Sequence, residues 1–154
     1  MNLDAIKGFF DNFELGGLLP DLGTLLGKLE LVMRILVMAG PVVMVVMGLL
    51  YLFAAPKEAN HHFGYRCYFG MGSVDAWRYT QRIAGIAWTG MGVILSIVML
   101  IVSGSFAALN AIDMVTKAIV CVLWQAGLLL LAHFVIRAIV AFRFDRHGEY
   151  RTHK

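Results

Sequence analysis

Few side chains in this chain are of types that do chemistry, and their spacing decides what they are fit for. His133 and Arg137 stand four residues apart in a stretch that is otherwise almost wholly apolar, so on a helix they share one face. Polar groups in such a stretch are suspects for function. For His133 two roles stay open, an interhelical hydrogen bond and a proton or ligand role, while Arg137 lies where it can also simply snorkel to the interface. His61, His62 and Cys67 contain metal-ligating atoms, but adjacent histidines point in different directions and no second half of a site is visible, so no metal is expected. An intramembrane hydrolase would pair Ser103 or Ser105 with His133. Those serines fall at the outer end of one apolar stretch, whereas His133 is some 15 residues, about 22 Å, along the next. With no phosphate loop, zinc-helix motif or paired intramembrane carboxylates either, the expectation is a protein that is not an enzyme and carries no cofactor.

These residues must be positioned by elements that live in lipid. The 154 residues are 60% hydrophobic and 15% charged, too apolar for an ordinary soluble domain. Residues 31–53 contain one charge, Arg34, and at 1.5 Å per residue reach roughly 34 Å, enough to cross a hydrocarbon core of about 30 Å. Residues 83–103 and 118–140 form a second and a third such span, the third interrupted only by Gln125, His133 and Arg137. The fold class is therefore all-α, a three-transmembrane-helix bundle in one membrane domain covering residues 1–154. Gly40 and Pro41 predict a packing kink in the first span.

The net charge of +3 reflects topology and not nucleic acid, because the basic residues flank apolar spans. Lys57, Arg66, Arg78 and Arg82 occupy the first connection, and Arg143, Arg146, Arg151 and Lys154 the tail. The second connection has only Lys117. By the positive-inside rule the first connection and the C-terminus are cytoplasmic and the N-terminus is outside, in a cytoplasmic (inner) membrane. In residues 1–30, Leu3, Ile6, Phe10 and Phe13 recur at helical spacing, as do Leu18, Leu22, Leu25, Leu26 and Leu29, with Gly16 and Gly17 between them. Both stretches are too short to span and are expected to lie on the membrane as amphipathic interfacial helices. A partner-binding role is the alternative.

The cytoplasmic connection carries a pattern: Asn60, then Phe63, Gly64, Tyr65, Arg66 and Cys67, a turn with Ser73, then Trp77, Gln81, Arg82 and Gly85 at the start of the second span. Its order and spacing resemble the SdpI family of bacterial membrane proteins, in which Cys67 would usually be Thr. That resemblance implies an immunity or sensing component against a secreted antimicrobial peptide, with a peptide toxin, a repressor or another membrane protein as partner and homo-oligomers as a further state. The alternative is a small accessory or structural subunit of a larger membrane complex or transporter. Independently of family, Arg66 and Arg82 are the leading residues for an anionic headgroup or an acidic partner segment.

Counting depth from Ser103 and Ala118 as outer ends sets Gln125 level with Ser96, His133 level with Trp88 and Thr89, and Arg137 level with Ala84. Gln125 and Ser96 are then expected to share a hydrogen bond, and Asp75 to face Arg137. The candidate ligand or partner site is one polar cluster at the cytoplasmic mouth: Asn60, Gly64, Tyr65, Arg66, Trp77, Gln81, Arg82, His133 and Arg137.

Overall fold

The computed structural model describes residues 22–59 and 62–151, and of Leu22 the backbone alone. Three long helices run antiparallel in sequence order: α1 (Leu22–Phe53), α2 (Val74–Gly104) and α3 (Ala111–Arg143). All three are long and apolar enough to cross a membrane. Short 3-10 turns occupy Phe69–Met71 and Phe106–Ala108 in the two connections.

Each helix outruns the span expected for it, and the caps show why. Ser73 accepts a hydrogen bond from the Ala76 amide at 3.1 Å and so starts α2 with Asp75 in its first turn, well before Ile83. Asn110 accepts from the Asp113 amide at 2.9 Å and donates to the Asp113 carboxylate at 2.7 Å, starting α3 well before Ala118. Apolar composition marks the part of a helix inside hydrocarbon, whereas caps mark where its hydrogen bonding ends. Likewise α1 is already helical at Leu22, so residues 22–30 belong to it and are not a separate surface helix; the amphipathic stretch over 1–21 lies outside the described residues. Arg34, the one charge expected in the first span, pairs with Glu30 at 2.6 Å one turn earlier.

Pro41 lies inside α1 and is buried. Having no amide hydrogen, it cannot satisfy the Val37 carbonyl four residues earlier. Gln125 of α3 does so instead, its Nε2 donating to the Val37 oxygen at 2.9 Å. Gly40 leaves the room, since a Cβ there would collide with the Gln125 amide. The expected bond between Gln125 and Ser96 is thus not formed. Ser96 donates to its own helix at the Gly92 carbonyl, and Gln125 faces α1 rather than α2.

Close approach of α1 and α2 depends on missing side chains. A Cβ on Gly85 would overlap Leu52, one on Gly92 would overlap Val45, and one on Gly48 would meet the Thr89 backbone. Two buried clusters result. One, around Val37, Met44, Leu95 and Phe106, fills the bundle toward the second connection, and the other, around Tyr51, Tyr65, Ala84, Ile136 and Phe144, fills the end that bears the first connection and the tail.

Candidate functional site

The first connection, residues 54–73, folds back into the bundle. Its Tyr65 is buried and its Oη lies 2.7 Å from His133 Nδ1 and 3.3 Å from the His133 carbonyl oxygen, which can only accept. His133 precedes the end of α3 at Arg143 by ten residues, roughly 15 Å, so the connection reaches well inside the helical layer. Non-helical backbone is tolerated at such depth only where its polar groups are satisfied by protein. Gln81 does this. The Tyr65 amide donates to Gln81 Oε1 at 2.8 Å and Gln81 Nε2 donates to the Tyr65 carbonyl at 2.7 Å, so one carboxamide pairs both backbone groups of one residue.

The neighbouring motif residues shape this docking. Gly64 has φ +119°, a region unfavourable for other residues, and a Cβ there would lie 2.6 Å from the Trp77 ring. Trp77 is completely buried and its Nε1 donates to the Pro56 carbonyl at 2.8 Å, tying down the start of the connection. It is therefore an internal support and not an interfacial anchor. Tyr65 forms edge contacts with Tyr51 and Trp88, at centroid distances of 6.0 and 6.4 Å. Burial pushes the Tyr65 phenol up to about 12, so it is a protonated donor at neutral pH. Burial also raises the Cys67 thiol, opposed by hydrogen bonds from the Gly70 backbone and the Thr80 side chain.

The expected site residues thus divide. Gly64, Tyr65, Trp77, Gln81 and His133 come together as an interlocked interior, while Arg66, Arg82 and Arg137 are exposed around it. Asn60 lies outside the described residues, as does His61 of the metal reading. Asp75 is exposed and makes no ion pair with Arg137, because the Ser73 cap turns the first residues of α2 toward solvent. Ser103 and Ser105 donate to the Leu100 and Val102 carbonyls of their own helix end, away from His133.

Sequence reasoning missed the tail. After α3, Phe144 and Tyr150 form an isolated antiparallel bridge around a turn in which the Asp145 carboxylate accepts from the Glu149 and His147 amides at 2.8 and 2.9 Å. The Glu149 amide, and then that of His147, hold the Asp145 carboxyl below the usual carboxylate range. Ser73, besides capping α2, donates to the Gly148 carbonyl at 2.7 Å, and the Arg143 guanidinium stacks over the Tyr79 ring at 4.8 Å. Asp145 followed three residues later by Gly148 is the available signal, a turn signature in sequence.

Fold and site define a multi-pass helical membrane protein whose first connection is built into its helix bundle. The SdpI/YfhL protein family matches residues 57–142, more than half of the chain and the stretch that contains Gly64, Tyr65, Trp77, Gln81 and His133, and the chain belongs to that family. Among curated proteins and among solved structures, none matches.

Proposed function

We propose that this SdpI-family chain is a non-enzymatic immunity or sensing component of a bacterial cytoplasmic membrane, acting against a secreted antimicrobial peptide. Its N-terminus is outside and its first connection and tail are cytoplasmic. The observation that carries the reading is the division of the motif. Tyr65, clamped by Gln81 and bonded to His133, makes the connection a fixed platform, and that platform leaves Arg66 and Arg82 exposed at its rim. A rigid surface bearing guanidinium forks suits recognition of a carboxylate-bearing or anionic partner segment. Catalysis would instead need a nucleophile and base held together, and the hydroxyl nearest His133 is the Tyr65 phenol, engaged in docking.

The test is genetic. Deleting the gene in its own host should reduce survival in that host's spent stationary-phase medium. The wild-type gene should restore survival, and Arg66→Ala/Arg82→Ala should not, at equal abundance in the membrane. Unchanged survival on deletion, or full rescue by the double variant, refutes the reading. Orientation is checked with a membrane-impermeant thiol reagent: Arg146→Cys should be labelled only after lysis, and Phe10→Cys in intact cells.

A second reading, an accessory subunit or a homo-oligomer, is favoured by α3, whose outward face exposes Leu123, Trp124, Leu130 and Leu131 and carries a shallow recess of about 260 Å³ at Val120 and Gly127. Disulfide trapping through Gly127→Cys in native membranes separates a partner helix from lipid at that recess.

A further inference from the structure

Where α1 ends and α2 begins, the docked connection leaves a crevice of about 340 Å³ that the family motif does not explain. Its floor is apolar, made by Tyr51, Leu52 and Phe53, and its rim carries Lys57, Arg78 and Arg82 with no carboxylate in the lining. The arrangement is amphiphilic in a definite direction. Phe53 is 84% exposed at the last residue of a membrane-spanning helix, so the floor faces hydrocarbon. The three cations stand just beyond it, at the level of the headgroups. Among the described residues no ion pair neutralises them. Among the described residues Arg82 has no hydrogen bond or ion pair, Lys57 contributes only its backbone carbonyl, and Arg78 makes only a long 3.4 Å bond to that carbonyl. The Gln81 amide in the wall is held at both its oxygen and its nitrogen by Tyr65, and Trp77 holds Pro56, so the walls are fixed while the cations are not.

We propose that this crevice binds one anionic phospholipid, its phosphate between Arg78, Arg82 and Lys57 and the start of an acyl chain along Tyr51, Leu52 and Phe53. A guanidinium pair offers forked donors to phosphate oxygens, and a single net negative headgroup balances part of the rim's charge of three. A zwitterionic lipid brings the same phosphate together with a cation that the rim repels. The inference shares Arg82 with the immunity reading but rests on the crevice, and lipid binding tests it whether or not the chain confers immunity.

The test uses the full chain purified in mild detergent, with thermal unfolding followed as lipid is added. Phosphatidylglycerol should raise the unfolding temperature saturably, whereas phosphatidylcholine and inorganic phosphate should not. Arg78→Gln/Arg82→Gln should unfold at the wild-type temperature without lipid and bind phosphatidylglycerol roughly thirty-fold more weakly, as expected for two basic residues beside an anionic lipid. Arg146→Gln, in the tail, should respond as wild type. If the double variant is poorly folded, Arg82→Gln alone serves, since its guanidinium supports nothing in the fold. Equal responses to the two lipids, a response to inorganic phosphate matching that to phosphatidylglycerol, or a wild-type response in the arginine variants each overturns the proposal.

Discussion

Two polar ties cross the apolar interior of this bundle, and they solve different problems. Gln125 reaches from α3 to α1 to satisfy the Val37 carbonyl that Pro41 leaves without a donor. Tyr65 reaches from a connection into α3 to meet His133, with Gln81 satisfying the backbone it brings along. The first repairs a defect within a helix, and the second anchors a segment that is not helical at all. A polar residue at membrane depth is therefore no single category of suspect: Gln125 is accounted for by the carbonyl it satisfies, and His133 by the loop it holds.

The largest expected effect lies in the second tie. Gln81→Leu strands both the amide and the carbonyl of Tyr65, at about 1–3 kcal/mol each, and should destabilise the protein by about 2–5 kcal/mol in reversible unfolding from mixed micelles. A loss below that of Gln125→Leu would reverse the ranking of the two ties. Gln125→Leu should cost about 1–2 kcal/mol with Pro41 present but only a few tenths in a Pro41→Ala background, where the new amide serves Val37. An equal cost in both backgrounds would show that Gln125 does not replace the donor that Pro41 lacks. Tyr65→Phe keeps the ring contacts with Tyr51 and Trp88 and loses only the hydroxyl, so about 0.6 kcal/mol is expected, as for an average hydrogen bond between membrane helices. After His133→Leu the same change should cost less, since only the longer bond to the residue-133 carbonyl is left to lose.

The smallest effect is confined to the tail. The Asp145 carboxyl is held below its ordinary value, so its contribution to the turn is present above the ordinary carboxylate range, near 3.8, and is lost as pH falls through the lowered value. Protection of the Gly148 and Glu149 amides, taken as exchange relative to the intrinsic rate at each pH, should therefore fall in acid below that range. Asp145→Asn should make it insensitive to acid, and a persisting acid transition in that variant would assign it elsewhere.

The three spans were legible because hydrocarbon selects composition locally, one residue at a time. Their ends were not, because Ser73 and Asn110 cap the helices in stretches whose composition no longer differs from a loop. Depth counting set His133 level with Trp88, and both do line the pocket that Tyr65 fills. The same count failed for Gln125 and Ser96, since equal depth says nothing about which way a side chain points around its helix axis, and in a three-helix bundle α3 also faces α1. Of the motif, Gly64, Tyr65, Trp77 and Gln81 were singled out from sequence, but not that they bond chiefly to one another. Such pairing, like that of Ser73 with Gly148, joins positions far apart in sequence and leaves no periodic trace.

The Tyr65 tie also sets an order of assembly. His133 follows Tyr65 by 68 positions, which at roughly 5–20 residues per second is about 3–14 s of synthesis. Throughout that interval the connection has no α3 to dock against, and although Gln81 can already pair the Tyr65 backbone, the Tyr65 hydroxyl would be left without its partner in hydrocarbon. It must leave the insertion machinery as an ordinary aqueous loop between two hydrophobic hairpin arms. Only after α3 has entered can Tyr65 be drawn inward, and Ser73 can be closed off by Gly148 only once the turn that follows α3 has been made. A ribosome stalled before His133 is exposed should thus hold a chain whose connection is still open to protease, and one released after Gly148 a chain in which it is shut.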